Sequence, residues 1–292
     1  MADNKLTVKQ KFTNFCSFLY NSETGEVLGR SGRNWGEITL FYIIYYICLA
    51  GFFAACFTVF NTTLDEHFPR LMHEDSLIRA NPGMGFRPMP DLATTLIRYE
   101  MANAKSYEPY VKHINDYLNK NHRNASGELV DCPDGVTRPE ESKACIVDLN
   151  STLATCGEDF GFKIGKPCIL LKLNKVFDWT PEPFESDSLP SNMPESLQAK
   201  YDQTSIWITC EGENPGDNEN LGEIEYLPKQ GYDLKYYPYK NQKDYLSPLV
   251  FIRLANITPN VGMLIECKAW AKNIWHDRQD RQGSIHFEII ID

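Results

Sequence analysis

The pattern of apolar and polar positions changes character several times along the chain. Residues 38–60 read ITLFYIIYYICLAGFFAACFTVF, without a single charge. As a helix rising 1.5 Å per residue this run is about 35 Å long, enough to cross a hydrocarbon core of about 30 Å. A core helix is seldom apolar on every side for so long, and a signal peptide carries a shorter apolar stretch nearer the N-terminus. The pattern predicts one membrane span. Before it, residues 1–37 read as a polar tail, with four glycines between 21 and 36 that mark a loop. After it, residues 61–105 carry Pro69, Pro82, Pro88 and Pro90 and an Asn-Pro-Gly-Met-Gly run, a density that opposes regular structure and reads as a stalk.

Beyond the stalk the period becomes helical. Tyr107, Tyr110, Val111, Ile114, Tyr117 and Leu118 share one face of a helix over 107–121, with Ser106 at a capping position and Pro109 in the first turn. Residues 121–127 end it. Five strands follow, at 168–176, 205–210, 249–254, 263–270 and 283–291. The last alternates strictly, with Ile285, Phe287, Ile289 and Ile291 on one face. Short strands without βαβ alternation predict an antiparallel sandwich with one added helix, occupying 106–292.

Charge sets the orientation. Lys5, Lys9, Lys11, Arg30 and Arg33 precede the span, whereas residues 61–66 hold two acids and no Lys or Arg. The positive-inside rule places the N-terminus in the cytosol and the 232 residues after the span outside, as a single-pass type II protein. The cysteines fit that orientation. Cys16, Cys48 and Cys56 lie in the tail or span. Cys132, Cys145, Cys156, Cys168, Cys210 and Cys267 lie on the oxidising side, an even set that reads as three disulfides with 15 pairings open. The absence of C-x₂-C spacing argues against zinc. Asn124, Asn150 and Asn256 head glycosylation sequons on the same side, while Asn61 heads one at the membrane edge, where access is poor.

Composition then narrows the function. With 29 Lys plus Arg against 39 Asp plus Glu, the formal charge is −10, which argues against a nucleic-acid binder. The chain has no phosphate-cradling G-x-x-x-x-G-K-[ST] loop, no G-x-S-x-G elbow and no Asp-x-Asp triplet, and His73-Glu74 lacks the second His of a zinc-protease motif. The acidic stretch 211–225 departs from calcium-loop spacing and reads as a solvated loop. No catalytic residue, cofactor or metal site is expected. Two tyrosine-rich surfaces stand out instead. Tyr232, Tyr236, Tyr237 and Tyr239 crowd around Pro238, as an interface or as a self-packed sheet edge. In the span, Tyr42, Tyr46, Leu49 and Phe53 share one side, and Gly51 and Ala55 with Ile44 and Cys48 share the other, the pattern of a helix that packs against partner helices.

The residues 28–30 (Leu-Gly-Arg), LFYIIYYICLAG in the span, KSYEPYV at 105–111, GKPCILLKLNKV at 165–176, YYPY at 236–239 and IECKAW at 265–270 resemble the β subunits of P-type ATPases. The likeness is to the Na⁺/K⁺-transporting pumps and, more distantly, the gastric H⁺/K⁺ pump. Lys240 replaces a usual second aromatic after YYPY, and 177–203 matches poorly. The resemblance implies a non-catalytic subunit that assists folding, assembly and plasma-membrane delivery of a catalytic α subunit and modulates K⁺ transport. The family also implies an immunoglobulin-like sandwich and disulfides Cys132–Cys145, Cys156–Cys168 and Cys210–Cys267. It implies α contacts at Tyr42 and Tyr46 in the membrane and at Tyr236, Tyr237 and Tyr239 outside. A small single-span regulatory subunit and membrane lipids complete the expected partners. An H⁺/K⁺ pump subunit and a type II cell-adhesion glycoprotein are the competing expectations, and a type II ectoenzyme is a weaker third.

Overall fold

A computed structural model describes residues 8–65, 68–72, 75–76, 81–123, 129–133, 139, 143–277, 279 and 282–292, with backbone alone for 8–11 and 123. Asn124 and the His73-Glu74 pair lie outside the described residues. The chain divides into two compact units, Met1–Glu66 and His67–Asp292.

The first unit holds helix α1 (Val8–Leu19), the two-residue strands β1 (Tyr20–Asn21) and β2 (Glu26–Val27) of a small hairpin, and helix α2 (Gly32–Thr62). Among the described residues α2 is the one helix long and apolar enough to cross a membrane. It begins six residues before the uncharged run, and an Arg33–Glu37 pair at 3.0 Å lies in that extra turn. Near its other end the hydroxyls of Thr58, Thr62 and Thr63 donate to the carbonyls of Ala54, Val59 and Phe60. Such bonding hides polar groups that lipid cannot satisfy.

In the second unit the elements are β3 (Met84–Arg87), β4 (Leu96–Tyr99), α3 (Ala104–Leu118), β5 (Leu129–Val130), β6 (Ala144–Cys145), α4 (Asn150–Cys156), β7 (Cys168–Leu173), α5 (Glu195–Gln198), β8 (Ser205–Gly212), α6 (Pro215–Leu221), β9 (Ile224–Leu227), β10 (Gly231–Asp233), β11 (Leu249–Leu254), β12 (Met263–Trp270) and β13 (Ser284–Ile291). They form a five-stranded sheet, β10-β8-β12-β13-β4, a four-stranded sheet, β3-β7-β11-β9, and a two-stranded pair, β5-β6. The two larger sheets share one core, in which Phe86 of β3 stacks on Phe287 of β13 at 5.0 Å between ring centroids.

The continuous apolar runs CILLKL and LVFIRL follow from this arrangement. Phe86 pairs in register with Leu171, and this face meets the other sheet. The alternate positions, Arg87, Leu170, Lys172 and Phe251, face a layer that includes α3 and the segment after α4. There Tyr117 lies beneath Arg87 and Lys172, at 5.6 and 5.8 Å from its ring, and Phe160 stacks on Phe251 at 6.3 Å. A strand covered on both faces has no polar side to alternate with.

Several expectations change. The 61–105 stretch is not irregular throughout: β3 and β4 lie in it and supply an edge to each sheet. Their prolines fall between strands rather than within them, so they do not interrupt pairing. The sheets are not wholly antiparallel, because β4 runs parallel to β13, with Leu96 opposite Glu288. Helix α3 starts at Ala104, so Ser106 sits inside its first turn and bonds Glu100 and Asn103 backbone groups instead of capping. Pro109 stands two residues deeper than a first turn. The helix continues past 118 as a π turn, Asn119–Arg123. The acidic stretch 211–225 is not a loop but the end of β8, α6 and β9. Asn214 and Asp217 form a capping box at the start of α6. Gly212 is required there, since a Cβ would fall 2.6 Å from the Asn218 amide nitrogen. The segment 184–201, which has no strand, closes a second small core over Trp207 and Trp270 on the outer face of the five-stranded sheet.

Three disulfides join Cys132 to Cys145, Cys156 to Cys168 and Cys210 to Cys267. The third links register partners on neighbouring strands β8 and β12, at 4.0 Å between Cα atoms, and so lies within one sheet rather than between the two. Cys156–Cys168 ties the helical layer to β7. By loop closure the two short loops contribute about 3 kcal/mol each and the long one about 4 kcal/mol.

Candidate functional site

The first tyrosine-rich surface is on α2. Tyr42 and Tyr46 stack at 6.1 Å, one turn apart, and Tyr45 meets Tyr46 edge-on at 5.4 Å. All three side chains are exposed, as no residue of α2 is buried. Among the described residues no group bonds the Tyr42 or Tyr46 hydroxyl. In lipid a phenol without a partner is costly. On the opposite side Gly51 has open space where a Cβ would stand, which lets a second helix approach closely.

The second surface is in the ectodomain, after β10. Here the sequence brings one chain turn back on itself: β10, a 3₁₀ turn at Leu234–Tyr236, then the cis bond Tyr237–Pro238. The four tyrosines separate into two kinds. Tyr232 and Tyr237 point into the core, with Tyr237 edge-on to Trp179 at 5.7 Å. Tyr237 was expected on the contact surface. Instead it lies beneath it, because its neighbours β10 and Trp179 close over the ring. Tyr236 and Tyr239 stay half-exposed. The Tyr236 hydroxyl donates to the Ile146 carbonyl at 3.2 Å, and the Tyr239 hydroxyl donates to Asn241 Oδ1 at 3.1 Å.

Residues distant in sequence complete the patch. Tyr245 donates to the Tyr236 carbonyl at 2.9 Å and packs its ring 4.9 Å from Tyr239. The Lys175 ammonium lies over both rings, 4.9 Å from Tyr239 and 5.0 Å from Tyr245. Lys235 donates to the Cys132 carbonyl at 2.6 Å and covers Tyr236, tying the patch to the Cys132–Cys145 bridge. Lys240 pairs with Asp178 at 3.7 Å. Beside them a cleft of about 280 Å³ is lined by Tyr236, Tyr245, Lys235, Lys240, Thr180 and Gln242. Burial raises the hydroxyl pKa values of Tyr236, Tyr237 and Tyr245, and Asp233 adds to the effect at Tyr236. The patch therefore presents neutral phenols and ammonium groups, a surface for hydrogen bonding and cation–π contact rather than proton transfer. Among the described residues no group of three or more His, Cys, Asp or Glu could hold a metal ion.

Sequence reasoning reached Tyr236 and Tyr239 but not Tyr245, Lys175 or Trp179. Nothing local marks those three, because only the pairing of β7 with β11 and the chain reversal at 238 bring them together. Of the sequon residues, Asn150 opens α4 and Asn256 follows β11, both exposed.

Comparison with known proteins places the chain in a family. The family model described as "Sodium / potassium ATPase beta chain" matches residues 5–287. The chain belongs to the sodium/potassium ATPase beta chain family. It is 38% identical over 288 residues to the probable sodium/potassium-transporting ATPase subunit beta-3 of Caenorhabditis briggsae, covering 95% of this chain and 86% of that protein. It is 38% identical over 293 residues to sodium/potassium-transporting ATPase subunit beta-2 of Drosophila melanogaster, covering 94% and 90%. Subunit beta-1 of Tetronarce californica is 34% identical over 297 residues, covering 94% of each chain. As a member of this family the chain is of the accessory β subunit type, and α2 fits a single-pass membrane protein.

Proposed function

We propose that the chain is the non-catalytic β subunit of a Na⁺/K⁺-transporting ATPase. It assists folding, assembly and plasma-membrane delivery of the catalytic α subunit and modulates K⁺ transport. The observation that carries this reading is α2, whose Tyr42–Tyr46 face carries hydroxyls that nothing bonds among the described residues, on a member of this family. On this reading Tyr42 and Tyr46 bond an α helix. Tyr236 and Tyr239 cover an extracellular α loop, with Tyr237 setting their position from the core. The Gly51–Ala55 side is left for a small single-span regulatory subunit or for lipid.

The same reading makes the chain type II, with tail 1–37 in the cytosol, span 38–60, a stalk from 61 and the ectodomain outside, glycosylated at Asn124, Asn150 and Asn256. We read the two larger sheets as an immunoglobulin-like sandwich, supported by their shared core. The parallel β4–β13 pair and a disulfide lying within one sheet are departures from that pattern.

The test is a mild-detergent pull-down of the tagged chain from its native membranes, with and without Tyr42→Leu plus Tyr46→Leu. The expected result is a stoichiometric P-type ATPase catalytic chain with the unaltered protein and a marked loss with the double variant. Recovery of the unaltered chain alone would refute the subunit reading, and undiminished recovery with the variant would refute the assigned face.

A further inference from the structure

Helix α1 has a face that the pump reading does not use. In the described part of α1, Phe12, Phe15, Cys16, Phe18 and Leu19 occupy one arc of the helix, and Thr13, Asn14 and Ser17 occupy the other. The apolar side chains are open, at 68% for Phe12, 56% for Phe15, 54% for Phe18 and 42% for Leu19. A contiguous exposed row of aromatic residues in water is unfavourable and marks a contact surface.

The connection to α2 says what covers it. The Leu28 amide donates to the Leu19 carbonyl at 3.2 Å, so the far side of the hairpin is bonded to the last residue of α1. Val27 and Arg30 exchange backbone bonds at 3.0 and 3.1 Å. The Trp35 indole N–H donates to the Val27 carbonyl at 2.9 Å, which joins the hairpin to the first turn of α2. Gly29, at φ +72°, leaves room for the Phe18 ring, since a Cβ there would stand 3.3 Å from it. The end of α1 is thereby held beside the start of α2. The uncharged run begins at Ile38, six residues into α2, about 9 Å along its axis. The C-terminal end of α1 is thus held within reach of the bilayer surface.

We infer that α1 lies on the membrane as an interfacial helix, with Phe12, Phe15 and Leu19 seated among the phospholipid acyl chains at the headgroup boundary. Such helices sink their apolar face about 5–10 Å into that boundary. The occupant is the bilayer surface itself, continuous with the lipid around α2. This rests on α2 spanning a membrane, and it does not depend on which pump the chain serves.

The experiment uses the full chain reconstituted into phosphatidylcholine vesicles, with Cys16, Cys48 and Cys56 replaced by Ala. A nitroxide is attached through a single new cysteine at position 12, 15 or 19 on one arc, or at 13, 14 or 17 on the other. Each site is exposed, so folding is not at stake. Collision with oxygen, which concentrates in lipid, is compared with collision with a water-soluble nickel chelate. The expected result is an oxygen-to-nickel ratio several-fold higher at 12, 15 and 19 than at 13, 14 and 17. Nickel accessibility at all six positions would overturn the inference in favour of a helix standing in water. Low accessibility to both reagents at 12, 15 and 19 would overturn it in favour of a protein contact. A nitroxide at position 44 on the lipid-embedded part of α2 serves as the control. If that site too is reached by nickel, the membrane reading of α2 fails first, and the two failures are distinguishable.

Discussion

Tyr42 and Tyr46 stack on a helix with no buried residue, and among the described residues nothing bonds their hydroxyls. Tyr236 and Tyr245, in the second unit, donate theirs to the carbonyls of Ile146 and Tyr236. The same side chain serves opposite purposes. In the ectodomain its polar end is consumed by the fold and stabilises it. On the proposed reading, the polar end in the span is kept for a partner, at no benefit to the isolated helix. The contrast follows from solvent: water tolerates an unbonded phenol at a surface, and lipid does not.

Mutations separate the two regions. Phe251→Ala removes a fully buried ring of β11 that packs against Phe160, and is expected to lower ectodomain stability by about 3–5 kcal/mol in denaturant unfolding of the full chain in detergent. Replacing both Cys210 and Cys267 by Ala is expected to cost about 4 kcal/mol by the same measurement. A loss below about 1 kcal/mol would mean that the cross-strand pairing already restricts the denatured chain. Tyr245→Phe deletes one buried hydrogen bond, for an expected loss of about 1 kcal/mol. Tyr42→Leu with Tyr46→Leu is expected to shift ectodomain unfolding by less than about 0.5 kcal/mol while assembly falls. A larger shift would break the division between the regions.

A pH titration sharpens the same contrast. Burial lowers the pKa values of His113, His122 and His276, and His122 carries a buried Nδ1 with no bonding partner. Their unfolded forms take up protons first, so this stability is present above about pH 6.5 and is lost as the pH falls below it. Burial raises the pKa values of Tyr99, Tyr232 and Tyr237, and raises that of Tyr226 to about 12. Stability from these groups is present below about pH 10 and is lost as the pH rises above it. Thermal unfolding of the ectodomain should therefore plateau between those limits, while the helicity of α2 stays flat across them. A drop in stability between pH 7 and 9 would contradict these assignments.

Much of this was legible from residue pattern. The strands at 249–254 and 263–270 stand where their apolar runs place them, and the charge-free run lies within α2, because both signals depend only on local period. What was hidden depends on distant pairing. β3 and β4 are four residues each, set among prolines, and become strands through β7 and β13 rather than through their own composition. Tyr237 and Tyr239 look alike in sequence, and only the distant packing of Trp179 and β10 shows which is covered. The acids of 211–225 read as solvated because the Asn214–Asp217 capping box is visible only once α6 exists.

The pairing of β4 with β13 also bears on the timing of synthesis. β13 lies between β12 and β4, so β4 has no strand neighbour until residues 284–291 have been made. Leu96 leaves the ribosome long before its register partner Glu288. Throughout that interval Ile97 and Tyr99, both destined for the core, lack the strand that pairs with them in the finished sheet. The five-stranded sheet therefore closes late, from its two sequence-distant ends, and the nascent domain presents a waiting apolar edge that a folding assistant in that compartment would recognise.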